Sequence, residues 1–281
     1  MSFTFQLIGY PIKHSLSPWI HEQFLRKANL KGTYTINEIE LHDSFEERIQ
    51  QMRNENLDGF NVTVPYKEKI IPFLDDLDAY AKKIGAVNTV LNKDGRWTGF
   101  NTDATGYVRS LETKYPNLAK DRTKHILIIG SGGAARGIYC GLDMAGYQHI
   151  DIANRTTEKA KEIASLAGKA TKTDIISLQE AELHLTKYDV VIQTTSVGMK
   201  PNTEESVMRL RTLKPGAIVS DIVYQPIKTA FLKQAEGAGA SIHFGHTMLL
   251  YQALYAFEIW AGQQISINNM DEELQQILEG R

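Results

Sequence analysis

The fold is decided by the stretch H-I-L-I-I-G-S-G-G-A-A at residues 125–135. His125–Ile129 predicts a short buried strand, and the glycine-rich segment after it fits the pattern G-x-G-x-x-G/A. An apolar segment that follows, Ala134–Ala145, predicts a helix. A strand, a glycine-rich turn and a helix in this order are typical of a dinucleotide-binding unit.

The glycine-rich turn has residues suited to binding a pyrophosphate. Gly130 permits the tight turn, Gly132 lets the backbone approach the anion, and the helix N-terminus beyond supplies N–H groups and a positive dipole end. The alternative is a strand–helix connection that binds nothing, but the position between a strand and a helix favours the binding interpretation. The predicted loop comprises Gly130, Ser131, Gly132, Gly133 and Ala134.

The end of the next predicted strand, Ile150–Ala153, distinguishes NADP(H) from NAD(H). NAD-selective sites place an acidic residue about 20 positions beyond the fingerprint, at the ribose 2′-hydroxyl. Asp151 lies too early for that role, whereas Arg155 would present a planar fork to a 2′-phosphate. The alternative is that Thr156 caps the next helix and Arg155 is solvated. The sequence predicts NADP(H) as cofactor, bound by Asn154, Arg155, Thr156 and Lys159.

A small, hydroxyl-rich loop follows another predicted strand, Asp189–Thr194. Thr194, Thr195 and Ser196 at the carboxyl end of a strand would suit a wall for the ribose and nicotinamide. The alternative is an ordinary turn, in which such residues are also common.

The remaining segments alternate between strand-like and helix-like patterns, which is typical of an open, largely parallel sheet. Strands are predicted at Phe3–Tyr10, Thr33–Leu41, Gly59–Val64 and Ile218–Val223, with a hairpin over Val87–Phe100. Helices are predicted at Trp19–Asn29, Ser44–Glu55 (capped by Ser44), Thr157–Ala167, Met248–Trp260 and Asp271–Glu279.

Bulk properties exclude several classes of function. A chain of 281 residues suits two domains, and a net charge of −2 gives no attraction to nucleic acid. No apolar run is long enough to span a membrane, and Met1–Tyr10 lacks the pattern of a secretory signal. Cys140, the single cysteine, predicts a buried small side chain and fits a reducing cytoplasm. The histidines lack paired metal-ligand spacing, so no metal site is predicted.

Polar residues cluster at three predicted strand ends in the first hundred residues. Ser15 and Ser17 precede a helix start and can face one carboxylate, although Ser17 alone would also suit a cap before Pro18. Thr63 and Asn61 share one face of a strand that Pro65 ends. The third cluster contains Asn88 and Asp103, and Asp103 with Lys67 would form an ion pair suited to carbonyl reduction, although lone lysines and aspartates are usually solvated.

These segments together resemble the shikimate dehydrogenases. The chain contains, in the order found in that family, G-Y-P-I-K-H-S-L-S-P, N-V-T-V-P-Y-K, G-A-V-N-T, G-F-N-T-D-A-T-G, G-S-G-G-A-A-R, N-R-T, T-T-S-V-G-M, D-I-V-Y-Q-P and M-L-L-Y-Q-A. The resemblance extends from Gly9 to Trp260, almost the whole chain. It implies reversible, NADPH-dependent reduction of 3-dehydroshikimate to shikimate, a step of aromatic amino-acid biosynthesis.

The resemblance also implies roles for individual residues. Lys67 and Asp103 correspond to the catalytic pair. The implied substrate ligands are Ser15 and Ser17 for the carboxylate, Thr63, Asn88 and Gln252 for the hydroxyls, and Tyr224 at the substrate's edge. Gly245 and Met248 are expected to border the nicotinamide. Gln193 stands where the family often has asparagine, and His246-Thr247 replaces part of a commoner G-x-G-M pattern.

The predicted fold is α/β with two domains and a cleft between them that holds the active site. Because Gln252 follows the nucleotide domain in sequence, the chain is expected to return to the first domain. We therefore predict an open, mixed and mostly parallel substrate domain at residues 1–104 and 240–281, and a Rossmann-type NADP-binding domain at 105–239.

Two alternatives to this function remain, besides a structural or scaffolding protein, which would not need a phosphate-binding fingerprint and a polar cleft together. One is a quinate/shikimate dehydrogenase of the same family, which prefers quinate and NAD; Arg155 argues against NAD. The other is a non-catalytic NADP(H)-sensing regulator, from which the loss of Lys67 or Asp103 would be expected. The expected partners are small molecules only, in a cytoplasmic monomer or homodimer.

Overall fold

The computed structural model describes residues 2–280 and contains two compact units. Unit 1 comprises residues 2–102 and 252–268, and unit 2 comprises residues 103–251 and 269–280. Each unit contains one six-stranded sheet with helices, which confirms the predicted two-domain α/β class. Among residues 2–280, no helix is both long enough and apolar enough to cross a membrane.

Unit 1 is built on a mixed sheet in the order β2-β1-β3-β5-β6-β4. Its strands are β1 (Phe3–Gly9), β2 (Gly32–Glu38), β3 (Gly59–Val62), β4 (Asp76–Leu77), β5 (Thr89–Lys93) and β6 (Arg96–Phe100); its helices are α1 (Ser17–Lys27), α2 (Phe45–Arg53) and α3 (Ala79–Ile84). β2, β1 and β3 run parallel, whereas β5 and β6 form the predicted antiparallel hairpin. Ser44 caps α2 as predicted, because its side chain accepts a hydrogen bond from the Glu47 N–H.

Aromatic packing holds the C-terminal segment of unit 1 against its sheet. The Trp260 ring stacks on Phe5 with centroids 4.4 Å apart, and its Nε1–H donates to the Val90 carbonyl at 2.9 Å. Gly59 lies beneath this ring, where a Cβ would come within 2.3 Å of Trp260 Nε1. A glycine at this position therefore allows the indole to reach the strand backbone.

Unit 2 is built on an entirely parallel sheet in the order β12-β11-β10-β7-β8-β9. Its strands are β7 (His125–Ile129), β8 (His149–Ala153), β9 (Ile175–Ile176), β10 (Val190–Gln193), β11 (Ile218–Asp221) and β12 (Ser241–His243). The chain moves outward from β7 through β8 and β9, then crosses to β10 on the other side. This is the Rossmann strand order, in which ligands bind where the direction of winding reverses.

The helices from residue 102 onward are α4 (Thr102–Lys114), α5 (Pro116–Ala119), α6 (Gly133–Met144), α7 (Thr157–Ala164), α8 (Leu178–Leu183), α9 (Ala230–Gly237), α10 (Gly245–Ala261) and α11 (Met270–Glu279). The boundaries of α10 and α11 agree with the predicted segments to within a few residues. Cys140 of α6 is fully buried.

Helix α4 was not predicted from the sequence, although its apolar pattern is helical. Ala104, Tyr107, Val108 and Leu111 are all buried and recur at intervals of three and four residues. Polar residues of the segment G-F-N-T-D obscured the start of this pattern.

The compact units and the predicted functional domains divide the C-terminal region differently. Residues 245–251 of α10 belong to unit 2, and the rest of that helix belongs to unit 1. Helix α11 belongs to unit 2, where the Asp271 carboxylate lies 2.9 Å from His246 Nε2. The functional division at residues 104 and 240 stays a prediction.

Candidate active site

The glycine-rich loop lies at the point where the winding of the unit 2 sheet reverses. It follows β7, and its neighbour across the sheet, Thr194, donates from both its N–H and its hydroxyl to the Ile129 carbonyl, at 2.9 and 2.7 Å. Gly130 has φ +114°, and a Cβ there would lie 2.7 Å from Thr194 Oγ1. The turn therefore requires glycine on conformational and steric grounds.

The rest of the loop is open to solvent. Gly132 and Gly133 are exposed, and a Cβ added to either would meet nothing within 4 Å. Gly132 is the N-cap of α6 and provides no capping side chain, so the first N–H groups of this helix are available to an anion. Ser131 and Ala134 are half-buried at its sides. The loop has the openness and the donors that a dinucleotide pyrophosphate needs.

The carboxyl end of β8 presents basic and polar side chains. Arg155, Thr156 and Lys159 are exposed, and the half-buried Asn154 donates from Nδ2 to the Thr156 carbonyl at 2.7 Å. Thr156 occupies the N-cap position of α7, but its side chain accepts no capping hydrogen bond. The capping role that we considered for Thr156 is therefore wrong, and its hydroxyl can bind elsewhere.

Asp151 lies on β8 itself, and its carboxylate is used in hydrogen bonds within unit 2. It is buried and accepts hydrogen bonds from Lys187 Nζ at 2.7 Å, the Tyr188 hydroxyl at 2.9 Å and the Asp174 N–H at 3.0 Å. A carboxylate with three donors has no need of a ribose hydroxyl. The arrangement at β8 therefore favours a 2′-phosphate over a free 2′-hydroxyl.

Gln193 holds the hydroxyl-rich loop after β10. Its Oε1 accepts from the Thr195 N–H, and its Nε2 donates to the Val197 carbonyl at 3.1 Å and to Asp221 Oδ1 at 3.0 Å. Thr194 is buried, Thr195 is half-buried and Ser196 is exposed. Burial raises the pKa of Asp221 to about 6, against the hydrogen bonds from Thr229, Val223 and Gln193, which lower it.

Residues that depart from the common family pattern stabilise the first turn of α10. The Thr247 hydroxyl donates to the Phe244 carbonyl at 2.6 Å and lies 3.0 Å from His243 Nε2. Burial lowers the pKa of His243 to about 3, so its ring is neutral at neutral pH. His246 is buried against Asp271, whose pKa is lowered by His246 and Lys114 although burial opposes this. Gly245 and Met248 lie on this turn.

On the substrate side, Ser15 lies just before α1 and Ser17 is the first residue of that helix. Their hydroxyl oxygens are 3.1 Å apart, and the Ser17 N–H donates to Ser15 Oγ at 3.2 Å. Leu16, not Ser17, is the N-cap of α1, and no side chain caps the helix. The capping role considered for Ser17 is therefore wrong, so its hydroxyl is not used in that way.

Asn88 and Gln252 come together within unit 1 from positions 164 residues apart in the chain. Asn88 Nδ2 donates to Gln252 Oε1 at 3.4 Å and to Thr102 Oγ1 at 2.9 Å. Asn88 is 3% exposed, whereas Gln252 is half-buried. The two amides are in contact, and the partly accessible Gln252 is the one that a ligand hydroxyl group can reach.

The other predicted substrate-side residues occupy accessible positions. Thr63 and Lys67 are half-buried after the end of β3, and Asp103 is half-buried in the first turn of α4. Tyr224 follows β11 and is 39% exposed. Among residues 2–280, no group of three or more histidine, cysteine or acidic side chains is arranged to hold a metal ion.

The sequence did not point to Tyr34, which connects the polar residues of unit 1. The Tyr34 hydroxyl donates to Asn61 Oδ1 at 2.8 Å. Asn61 in turn donates from Nδ2 to the Asn88 carbonyl and to Thr89 Oγ1, both at 3.0 Å. A tyrosine on a strand is usually a packing residue, so the sequence carried no signal of this connection.

Three family models match this chain in succession. The shikimate dehydrogenase substrate binding domain matches residues 7–90, the shikimate / quinate 5-dehydrogenase model matches 112–224, and the shikimate 5′-dehydrogenase C-terminal domain matches 245–275. A shikimate dehydrogenase (NADP(+)) of Oceanobacillus iheyensis is 50% identical over 281 residues, covering 100% of both chains. The chain belongs to the shikimate dehydrogenase family.

Solved structures of family members share this fold. The shikimate 5-dehydrogenase of Thermus thermophilus, in complex with NADP(H) and shikimate, has a TM-score of 0.84 and 31% identity, over 98% of this chain and 99% of that one. The enzyme of Listeria monocytogenes, in complex with shikimate and NAD, has a TM-score of 0.87 and 34% identity, over 99% and 96%. The predicted Rossmann-type second domain and the family assignment are thereby confirmed.

Proposed function

We propose that this chain catalyses the reversible, NADPH-dependent reduction of 3-dehydroshikimate to shikimate. The observation that carries the proposal is the hydrogen bond between Asn88 and Gln252. It joins residues from two distant segments, both expected to bind substrate hydroxyls, and Gln252 of this pair is partly accessible. The paired hydroxyls of Ser15 and Ser17 supply donors suited to the carboxylate of the same substrate.

The residues of unit 2 fit NADP(H). The open glycine-rich loop at the start of α6 would hold the pyrophosphate, and Arg155 and Lys159 would hold the 2′-phosphate. When bound, NADPH supplies the hydride, and NADP⁺ accepts it in the reverse direction. Asp151 does not compete for this position, because its carboxylate is used inside the unit.

Lys67 and Asp103 form the proposed catalytic pair. Reduction of a ketone leaves negative charge on its oxygen, which must be stabilised and protonated. A lysine ammonium can do both, and positioned proton transfer of this kind typically contributes about 10²–10⁴-fold. In our proposal Asp103 orients Lys67 and accepts a hydrogen bond from the neighbouring substrate hydroxyl. Thr63 and Tyr224 complete the proposed substrate ligands, and Gly245 and Met248 border the nicotinamide.

The direct test is turnover by the purified chain, followed at the reduced-nicotinamide absorbance band. Shikimate and quinate are each combined with NADP and NAD. We expect fast turnover with shikimate and NADP only. Fast turnover with quinate or NAD would place the chain among the quinate/shikimate dehydrogenases, and no turnover from folded protein would favour a nucleotide-sensing role.

The proposed 2′-phosphate site is tested by Arg155→Ser. A charge-assisted hydrogen bond contributes about 1.5–3 kcal/mol, so kcat/KM with NADP should fall by roughly 10- to 100-fold while the weak NAD reaction changes little. Lys161→Ser is the matched control, because it removes one exposed positive charge from α7, the helix that follows Arg155. Equal losses with NADP and NAD would contradict the assignment of Arg155.

The proposal also includes a cytoplasmic location and a small assembly. A chain with one cysteine, buried in α6, needs no oxidising compartment. We propose a monomer or homodimer, which light scattering of the purified chain would distinguish.

A further inference from the structure

Gln193 ends strand β10, which lies between β11 and β7 in the sheet of unit 2. Its partner in the parallel pairing is Asp221, the last residue of β11, so the two side chains lie on the same face of the sheet. Gln193 is 1% exposed, and Asp221 is fully buried. A buried amide needs partners for its nitrogen and for its oxygen, and Gln193 has three of them.

Two of these partners are backbone groups of the hydroxyl-rich loop. Gln193 Oε1 accepts from the Thr195 N–H, and Nε2 donates to the Val197 carbonyl at 3.1 Å. The Val197 N–H in turn donates to Thr195 Oγ1 at 3.2 Å. The amide therefore holds both residues that flank Ser196, which is exposed in this loop.

The third partner anchors the amide to the neighbouring strand. Gln193 Nε2 also donates to Asp221 Oδ1 at 3.0 Å. That carboxylate is itself fixed, because it accepts from the Thr229 hydroxyl at 2.6 Å and from the Val223 N–H at 2.9 Å. The amide is therefore held by β11 at one end and holds the loop at the other.

The first residue of the loop is fixed from the opposite side of β10. Thr194 donates from its N–H and its hydroxyl to the Ile129 carbonyl of β7, at 2.9 and 2.7 Å. Strand β7 thus fixes Thr194, whereas the Gln193 amide fixes residues 195–197. Loss of the amide should free the outer part of the loop and leave Thr194 and the glycine-rich turn after β7 in place.

We propose that Gln193 is a positioning residue for the nicotinamide half of NADP(H), whose amide holds residues 195–197 where they border the ribose and nicotinamide. This inference rests on the proposed function, because the loop borders the nicotinamide only if unit 2 binds the cofactor in the proposed way. Gln193 is buried and acts through the loop. The adenosine half of the cofactor, with its 2′-phosphate at Arg155, should not depend on this amide.

The test compares two ligands on the full-length variant Gln193→Met, which keeps an unbranched side chain of similar length but has no amide. NADPH contains both halves of the cofactor, whereas 2′,5′-ADP contains only the adenosine half. We expect the Kd of NADPH to rise about 3- to 10-fold, as for a loop that keeps its binding position for roughly a third to a tenth of the time. The Kd of 2′,5′-ADP should stay within two-fold. Binding is measured without substrate, by NADPH fluorescence and by calorimetry.

Three further variants separate positioning from general damage to unit 2. Gln234→Met on α9 removes another amide that accepts from a backbone N–H, that of Leu210 at 3.2 Å, and should change neither Kd. Gln193→Asn can still accept from the Thr195 N–H two residues on, but it is one methylene too short for all three partners. Its NADPH Kd should lie between those of the wild type and Gln193→Met. Arg155→Ser should weaken both ligands, because both carry the 2′-phosphate.

Hydrogen exchange of the cofactor-free chain, followed by NMR, tests the contact itself. The Thr195 amide should be protected in the wild type and should exchange at least about 10-fold faster in Gln193→Met. The Thr194 amide, which donates to Ile129, should change little.

Three outcomes would overturn the inference. These are an NADPH Kd within two-fold of wild type in Gln193→Met, equal losses for NADPH and 2′,5′-ADP, or an unprotected Thr195 amide in the wild type. If Gln193→Met does not fold, the two ligands are compared on Gln193→Asn, where an unchanged NADPH Kd would overturn the inference. A wild-type chain that binds NADPH but does not oxidise shikimate would instead overturn the proposed function, so the two failures are distinguishable.

Discussion

Asp221 at the end of β11 should make this protein less stable as the pH rises through the weakly acidic range. Its side chain is buried and accepts hydrogen bonds from Thr229 Oγ1 at 2.6 Å, the Val223 N–H at 2.9 Å and Gln193 Nε2 at 3.0 Å. Burial removes water from the carboxylate and raises its pKa from 3.8 to about 6, because the three hydrogen bonds lower the pKa by less than burial raises it. The substitution Asp221→Asn tests whether this carboxylate causes the loss of stability.

The direction follows from proton binding in the two states. Below about pH 4 Asp221 is protonated in both the folded and the unfolded chain, so it has no effect on the pH dependence. Between about pH 4 and pH 6 the unfolded chain releases the proton while the folded chain keeps it, so the free energy of unfolding falls as the pH rises. Above pH 6 both states are ionised, and the destabilisation is constant.

The shift from 3.8 to about 6 corresponds to about 3 kcal/mol at neutral pH. Asparagine has no proton to lose and can retain the bonds, accepting from Val223 and Gln193 and donating to Thr229. The unfolding free energy of the variant minus that of the wild type should therefore increase by about 2 kcal/mol between pH 4.5 and pH 7. Taking the difference cancels all other titrating groups.

The assay is urea unfolding followed by far-UV circular dichroism at several pH values. Tryptophan emission is unsuitable, because Trp19, Trp97 and Trp260 all belong to unit 1. Hydrogen exchange of the β11 amides gives a local check on unit 2. If the unfolding free energy of the variant minus that of the wild type stays constant to about 0.5 kcal/mol from pH 4.5 to pH 7, the raised pKa of Asp221 is refuted.

Two further predictions concern the chemistry and the packing of unit 1. Lys67→Ala should lower kcat by about 10²-fold or more with the shikimate KM changed only a few-fold, whereas the exposed Lys69→Ala should change neither; a large KM change at constant kcat would reassign Lys67 to binding. Gly59→Ala places a Cβ within 2.3 Å of Trp260 Nε1 and should reduce the unfolding free energy by about 1–3 kcal/mol, measured by far-UV circular dichroism in urea, which reports on both units. Gly237→Ala, with open space around its added Cβ, is the control, and equal stability of the two variants would contradict the packing argument.

The sequence predicted the parts of the fold that depend on local patterns. The strand–turn–helix at residues 125–144 followed from an apolar run and three glycines, and the hairpin around Asp94-Gly95 followed from turn residues. The absence of an acid at residues 154–156, directly after β8, and the presence of Arg155 likewise required only the order of residues. Helix α4 had a usable signal in its apolar spacing, which the polar motif at its start concealed.

Other features depended on long-range packing. Whether Ser17 and Thr156 cap their helices depends on the local backbone and on competing partners, and neither side chain does so. The Asp151 carboxylate accepts hydrogen bonds from Lys187 and Tyr188, which come from a different part of the chain. The contact of Tyr34 with Asn61 depends on the strand order β2-β1-β3, which places their two strands on either side of β1. Neither segment by itself specifies that order.

Sequence by itself therefore determined the α/β class, the dinucleotide loop, the choice of NADP and, through the resemblance of its motifs, the family. Tertiary structure alone decided which polar side chains share hydrogen bonds and which carboxylates are desolvated. The physical reason is that periodicity, turn propensity and capping act over a few residues, whereas burial and hydrogen bonding between strands depend on how distant segments pack.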